Sequence, residues 1–244
     1  MTCRWLIFVL LGLACADIAR ADDIRLEAGG VWFSRNDVRI PSDVGTRFDL
    51  LELTGKAAEP YARFYASHDF NDHHSLRLTL APLRVSGTGT LSRNTIFRGK
   101  LFNAGVATQG TYQFSTYRLT YRWLFHDEAR WRLGVGGALL VRDAEISLRQ
   151  GATRASDKDV GLVPLLHGYA AYQFTQQLAV QLDVEGAWSP MGRAVDAALT
   201  AEHTFDSGWY LAAGYRTLEG GADNDDVYTF AWLHYAVAAV GYRF

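Results

Sequence analysis

Cysteine is almost missing from this chain. Both cysteines of the 244 residues, Cys3 and Cys15, fall in the N-terminal segment. The remainder therefore carries no disulfide, no thiolate metal site and no cysteine nucleophile. Long apolar runs are missing as well: after the N-terminus nothing approaches the roughly 18 consecutive apolar residues of a spanning helix. A strong charge of either sign is also absent. The formal net charge is −2, and nothing in it favours nucleic acid, which is bound by strongly basic surfaces. There is no His-Glu-x-x-His and no nucleophile elbow, which removes common soluble-enzyme classes. Gly134-Val135-Gly136-Gly137 lies within an alternating segment and reads as small residues relieving crowding, not as a phosphate loop.

The N-terminal segment reads as a secretory signal peptide, residues 1–21. Arg4 supplies the basic region, Trp5 to Ala16 the apolar core, and Ala19-Arg20-Ala21 the small-x-small site, with cleavage before Asp22. A lipoprotein signal acylated on Cys15 is the rival reading, suggested by Leu13-Ala14-Cys15; Gly12 stands where such a signal favours a large aliphatic residue. Loss of Arg4, Asp17 and Arg20 takes the formal charge from −2 to −3.

What is present is alternation. Hydrophobic residues make up 49% of the chain, yet mean hydropathy is only −0.06, so apolar and polar residues must interleave. An aromatic content of 13% is too rich for disorder. Five segments end on Phe just before a short polar turn or the chain end: Phe70, Phe125, Phe174, Phe205 and Phe244. Stepping back by two from Phe125 gives Trp123, Tyr121, Leu119 and Tyr117 on one face, with Arg122, Thr120, Arg118 and Thr116 on the other. From Phe205 the far face carries Thr204, Glu202, Thr200 and Asp196. Period two marks half-buried strands.

A soluble barrel would alternate too, so the direction of each face has to be argued. Aromatic residues gather at segment ends beside short turns, as an interfacial girdle requires; Tyr242 joins the five Phe in it. Ionic residues recur at mid-segment on the opposite face, where only pairing or water sustains them. These features predict residues 22–244 as one all-β domain, a closed antiparallel up-and-down transmembrane β-barrel. Five Phe-ended strands and their partners make about ten strands. Twelve result if Phe48–Leu53 and Ile96–Val106 also cross, but neither carries the Phe-plus-turn signature, so both are placed in outer loops. Longer outer connections are expected over 34–59, 87–107, 149–158, 188–193 and 219–226, with a bulge or break at Pro82 and at Pro164.

The ending Ala236-Val237-Ala238-Ala239-Val240-Gly241-Tyr242-Arg243-Phe244 resembles the C-terminal strand of bacterial outer-membrane β-barrel proteins. The resemblance implies an outer-membrane location and the barrel-assembly machinery as a folding partner. Outer-membrane lipids and lipopolysaccharide are the further partners expected of such a barrel, and no cofactor is expected.

Candidate functional residues follow from phase. Arg25, Glu27, Arg63, Asp69, Arg77, Arg118, Arg122, Arg132, Asp183, Glu185, Glu202 and Arg216 all fall on the lumen phase, as does His167. They read first as a salt-bridged filling of a narrow barrel, and second as a selective solute path. Asp223, Asp225 and Asp226 offer hard oxygen ligands for Ca²⁺, though Asp/Asn/Gly runs are ordinary turn chemistry. His73, His74 and His126 fall in turns, while His68 and His203 precede girdle Phe residues. His234 falls on the lipid phase, and closure would bring it near Ser34 on the first strand. A Ser/His pair there suits an acyl hydrolase acting on lipids, although no acidic orienting residue is evident. The sequence thus ranks a non-enzymatic barrel with an occluded polar lumen and binding loops first, a small-solute channel second, and a lipid acyl hydrolase third.

Overall fold

The computed structural model describes residues 22–128, 130–190 and 192–244; the expected signal segment, with Cys15, lies outside the described residues. The chain runs β1 (Asp23–Arg39), β2 (Phe48–Asp49), α1 (Leu51–Thr54), β3 (Glu59–Asn71), β4 (His74–Ala81), β5 (Arg84–Thr90), β6 (Thr95–Phe97), β7 (Lys100–Phe102), β8 (Ala107–Glu128), β9 (Trp131–Gln150), β10 (Thr153–Gln173), β11 (Leu178–Ser189), β12 (Gly192–Thr204), β13 (Trp209–Asp223) and β14 (Tyr228–Arg243). Pairing is antiparallel between sequential neighbours, and β14 returns to pair with β1 along its length, from Ile24 opposite Tyr242 to Arg39 opposite Tyr228. The result is a closed barrel of ten wall strands, with β4 and β5 forming one interrupted strand along β8. Among the described residues no helix is long and apolar enough to cross a membrane; the crossing is made by strands.

Alternation decides which side chains look outward. Leu139, Leu162, Leu166, Leu199 and Leu211 are exposed on the outer wall, and Phe70, Phe125, Phe174, Phe205 and Phe244 are exposed at the short-turn end. A belt of this size is stable only against hydrocarbon or another apolar surface. Facing the axis in the half nearer the short turns are Glu27, Arg63, Arg118, Glu185, Asp196 and Arg216, all buried.

The other half of the interior differs from the polar lumen expected. Val31, Phe33, Tyr112, Leu148 and Leu233 point inward there and pack with Ile40, Phe48, Leu50, Leu51, Leu53, Leu91, Phe97 and Phe102 of the long connections. Phe48–Leu53 and Ile96–Val106 do not cross; they fold into the mouth as β2, α1 and the β6–β7 hairpin. Glycines in the wall make the room. A Cβ on Gly89 would stand 2.0 Å from the Glu52 carbonyl oxygen, and one on Gly87 2.5 Å from that of Leu53, so α1 lies directly on bare backbone.

Two expectations about the strands need correction. The outer connections are mostly short, because strands continue through much of the expected loops: β9 ends at Gln150 and β10 begins at Thr153, and Ser34 lies within β1. Only the β1–β3 and β5–β8 connections are long. Pro82 does interrupt the wall, between β4 and β5, but Pro164 sits inside unbroken β10 opposite Leu139. The physical reason is length. β11 pairs with β10 only from Leu166 toward the short turns, so Pro164 lies beyond that ladder, where its missing N–H costs no bond.

Candidate functional site

Two clusters stand out, one on each face of the wall. Inside, four carboxylates hold six arginines. Asp196 accepts from Arg216 at 2.8 Å, Arg118 at 3.0 Å and Arg63 at 3.3 Å. Glu27 accepts from Tyr61 at 3.1 Å, Tyr65 at 3.0 Å and Arg216 at 3.3 Å, with Arg25 at 3.5 Å. Asp183 takes both nitrogens of Arg77, at 2.6 and 3.0 Å, and Arg122 at 3.1 Å. Glu185 binds Arg118, Arg77 and Thr120. Aromatic faces take up the surplus cations, Arg122 lying 3.8 Å from the Tyr169 ring centroid and Arg63 4.8 Å from that of Tyr235. This cross-section is an ion-paired filling in which every carboxylate is engaged, while the Nε atoms of Arg25, Arg77, Arg118 and Arg216 are left without a hydrogen-bond partner.

The remaining charged residues of the lumen phase lie apart from it. Asp69 is exposed at the rim. Arg132 pairs with Asp127 at 3.3 Å, and Glu202 pairs with Arg243. They line a cavity of about 620 Å³ that opens at the short-turn end. Asp196, central to the network, was visible on the lumen phase counted from Phe205 but was not singled out among the lumen charges.

Among the described residues one group brings three potential metal ligands within 4.8 Å of one another: His167, Asp183 and Glu185. It is unsuited to a cation. Arg77 already occupies both carboxylates, and the Nε–H of Arg122 donates to His167 Nε2 at 3.2 Å, so a dication would meet two guanidiniums at short range. Asp223, Asp225 and Asp226 do not converge on a site. Asn224 Oδ1 instead accepts from the Asp226 and Val227 amides at 3.0 and 2.9 Å, which is local turn chemistry.

The histidines of the short-turn end are held locally. His68 Nδ1 lies 2.8 Å from Asp22, and its ring meets Phe70 edge-on at 5.1 Å. His203 meets Phe205 in the same way at 4.9 Å. His74 lies 2.6 Å from the Tyr121 hydroxyl, whereas the side chains of His73 and His126 meet no hydrogen-bonding partner among the described residues.

On the outer face, three adjacent strands converge. His234 of β14 lies with Nε2 2.8 Å from Ser34 Oγ of β1 and with Nδ1 2.5 Å from the Tyr215 hydroxyl of β13. A β-bulge creates the arrangement. Phe33 stands opposite Leu233 and Arg35 opposite Trp232, so Ser34 is the extra residue; it keeps the outward phase of Trp32 and stands beside His234. Tyr215 lies one diagonal step from His234, since Thr217 is directly opposite. Trp32 stacks on the His234 ring at 5.7 Å and Trp232 tilts against it at 5.4 Å, fixing its plane.

Of the two neutral tautomers that these contacts accommodate, the productive one carries its proton on Nδ1. Nδ1–H donates to the Tyr215 oxygen, which leaves Nε2 free to accept the Ser34 proton. The alternative acceptor for Ser34, the Trp232 carbonyl, is farther away at 3.5 Å. The orienting group is neutral, which suits a wall that faces hydrocarbon, where an aspartate would cost several kcal/mol. Tyr215 lies on the outward phase counted from Trp209; searching only for a carboxylate passes over it. Toward the short turns the outward residues shrink to Ala28, Gly30, Ala213, Ala236 and Ala238, leaving a shallow strip beside Tyr215 and Trp32.

No family model matches the chain, and no curated protein matches it. Among solved structures it is similar to the outer membrane protease OmpT of Escherichia coli, at 9% identity and TM-score 0.61, over 91% of this chain and 96% of that one. Similarity is lower to Ail, the attachment invasion locus protein of Yersinia pestis, at 10% identity and TM-score 0.41, over 92% and 99%. The toluene transporter TodX of P. putida follows at 9% and 0.36, over 92% and 90%. The likeness to OmpT is one of fold: this chain has the architecture of an outer-membrane β-barrel.

Proposed function

We propose that the protein is an acyl-ester hydrolase of membrane lipids, working from the hydrocarbon side of its own wall in an outer membrane. The observation that carries this reading is the Ser34–His234–Tyr215 relay on the outer face. His234 Nε2 takes the proton of Ser34 as Oγ attacks the ester carbonyl carbon. The tetrahedral intermediate collapses, the ester C–O bond breaks, and His234 returns the proton to the leaving alkoxide. Water, deprotonated by the same nitrogen, then cleaves the acyl–Ser34 ester and releases the fatty acid. Tyr215 holds the ring in place through Nδ1, and the Ala/Gly strip gives an alkyl chain a surface to lie along.

Location follows from the apolar belt, the aromatic girdle and the C-terminal strand. The short-turn end would face the periplasm, the signal peptide would be removed on export, and the last strand would engage the assembly machinery. Ser34 and His234 then lie toward the outer leaflet, where lipopolysaccharide is the neighbour. Loop binding and conduction have less support. The long connections turn their apolar residues into the barrel mouth, and below them the ion-paired cross-section of Glu27, Arg63, Arg118, Glu185, Asp196 and Arg216 is buried, closing off the cavity that opens at the short-turn end.

The test is fatty-acid release by the folded barrel in vesicles of phospholipid and lipopolysaccharide, measured by mass spectrometry. The wild type is expected to release acid, and Ser34→Ala and His234→Ala to lose at least about 10³-fold while folding normally. A folded wild type that releases nothing, or Ser34→Ala releasing as much as wild type, removes the proposal.

A further inference from the structure

Four arginines stand on the outer face just beyond the relay. Because both Ser34 and Arg35 occupy the bulge, Arg35 follows Ser34 onto the outward side instead of turning into the lumen. Its Nε donates to Asp37 at 2.6 Å and one Nη to the Tyr228 hydroxyl at 3.1 Å. Its guanidinium lies 5.3 Å from the centroid of the Phe230 ring, and Arg193 of β12 lies 5.3 Å from that ring as well. Arg47 also reaches Asp37, at 2.8 Å, over the Tyr228 ring at 4.8 Å. Arg39 donates only to the carbonyls of Gly45 and Asp43, at 3.1 and 2.9 Å.

Backbone spacing supports this grouping. Gly221 stands opposite Phe230 on the outward phase, and a Cβ there would stand 1.9 Å from the Thr229 carbonyl oxygen and 2.7 and 2.8 Å from Phe230 ring carbons. Glycine at 221 therefore lets the aromatic ring lie across β13 toward Arg193.

We infer that this patch binds the phosphate monoester of the same lipid whose acyl ester the Ser34 relay cleaves; the inference rests on that reading of the relay and names its substrate class. Charge is the first argument. Arg35 and Arg47 share the single carboxylate of Asp37, whereas among the described residues Arg39 donates to two backbone carbonyls and to no carboxylate. An anionic ligand supplies these guanidiniums with acceptors. Arg193 uses a single Nη toward Glu219, so it keeps a free edge for phosphate oxygens. The second argument is order along the wall. From the strand ends toward the short turns come the arginines, then Ser34, then the Ala/Gly strip. A phosphorylated acyl lipid presents its groups in the same sequence: phosphate, ester, alkyl chain.

The test uses a binding readout on Ser34→Ala, so that it stands whether or not the wild type hydrolyses anything. Quenching of tryptophan by bromine-labelled lipid is measured in phosphatidylcholine vesicles doped with phosphatidic acid, phosphatidylglycerol or diacylglycerol. These share acyl esters and differ in carrying a phosphate monoester, a diester or no phosphate. Phosphatidic acid is expected to be enriched at the protein at least about fivefold over diacylglycerol, and more than phosphatidylglycerol. Adding Arg35→Gln and Arg193→Gln should bring the ratio close to one; Arg193→Gln alone, which leaves the bulge untouched, should lower it about twofold. Equal quenching by all three lipids, or a preference that survives the arginine changes in folded protein, overturns the inference. Equal enrichment of phosphatidylglycerol overturns recognition of the monoester.

Discussion

His167 and His234 sit in hydrogen-bonded clusters on opposite faces of one wall, and the contrast between them separates filling from chemistry. His167 is buried among full charges: Arg122 donates to its Nε2, and Asp183 and Glu185 stand 3.8 and 3.6 Å from its Nδ1. Every charged neighbour is already committed to another, so no proton acceptor is left facing a substrate. His234 is exposed and touches only neutral groups, a serine, a tyrosine and two indoles. The interior can use ions because partners surround them on all sides. A wall facing hydrocarbon has to build a relay from uncharged parts.

The contrast breaks most visibly if the interior is disturbed. Asp196→Ala leaves Arg63, Arg118 and Arg216 without their shared carboxylate, and a cost of about 3–5 kcal/mol is expected, as for other buried ion pairs that lose one partner. Urea unfolding from vesicles would measure it. A change below 1 kcal/mol would show that water reaches the network and that the filling is not structural.

On the outer face the expected effect is on rate, not on folding. Tyr215→Phe removes the oxygen at Nδ1 but keeps the ring, so acyl release should fall about 10- to 100-fold, with unfolding unchanged. Unaltered release would mean that stacking by Trp32 and Trp232 alone orients His234.

The smallest effect concerns the apolar mouth. Asp49 Oδ1 accepts from the Leu51 amide at 3.0 Å at the start of α1, and burial pushes its carboxyl above the usual range despite that bond. The folded state thus binds this proton more tightly than the unfolded one, and stability contributed by the site falls as pH rises through that interval. Asp49→Asn keeps an acceptor without the charge and should be neutral or slightly stabilising at pH 7. Asp49→Ala loses this Asx-turn hydrogen bond, at about 1 kcal/mol. Thermal melting of the two variants at pH 7 checks the order, and a less stable Asn variant would reverse the sign argued here.

Much of this was legible in residue order. Counting by twos from Phe125 and Phe205 separates outward from inward side chains, and the Phe-ended segments mark ten crossings. The approach of Ser34 to His234 follows from closure. Loop lengths were harder to read, because Arg149–Lys158 is polar enough to resemble a loop and yet continues a strand hairpin above the belt. The apolar mouth was also missed, since Phe48–Leu53 and Ile96–Val106 carry no period that says where they pack.

Alternation along each strand, with aromatic residues at its turn end, is a local property, and sequence alone determined it. Which residues stand side by side across strands is set by the stagger of the closed sheet and by one extra residue in β1. Those depend on every ladder at once. The contact of Tyr215 with His234, and the meeting of Arg35 with Arg193 around Phe230, were therefore decided only by the tertiary structure.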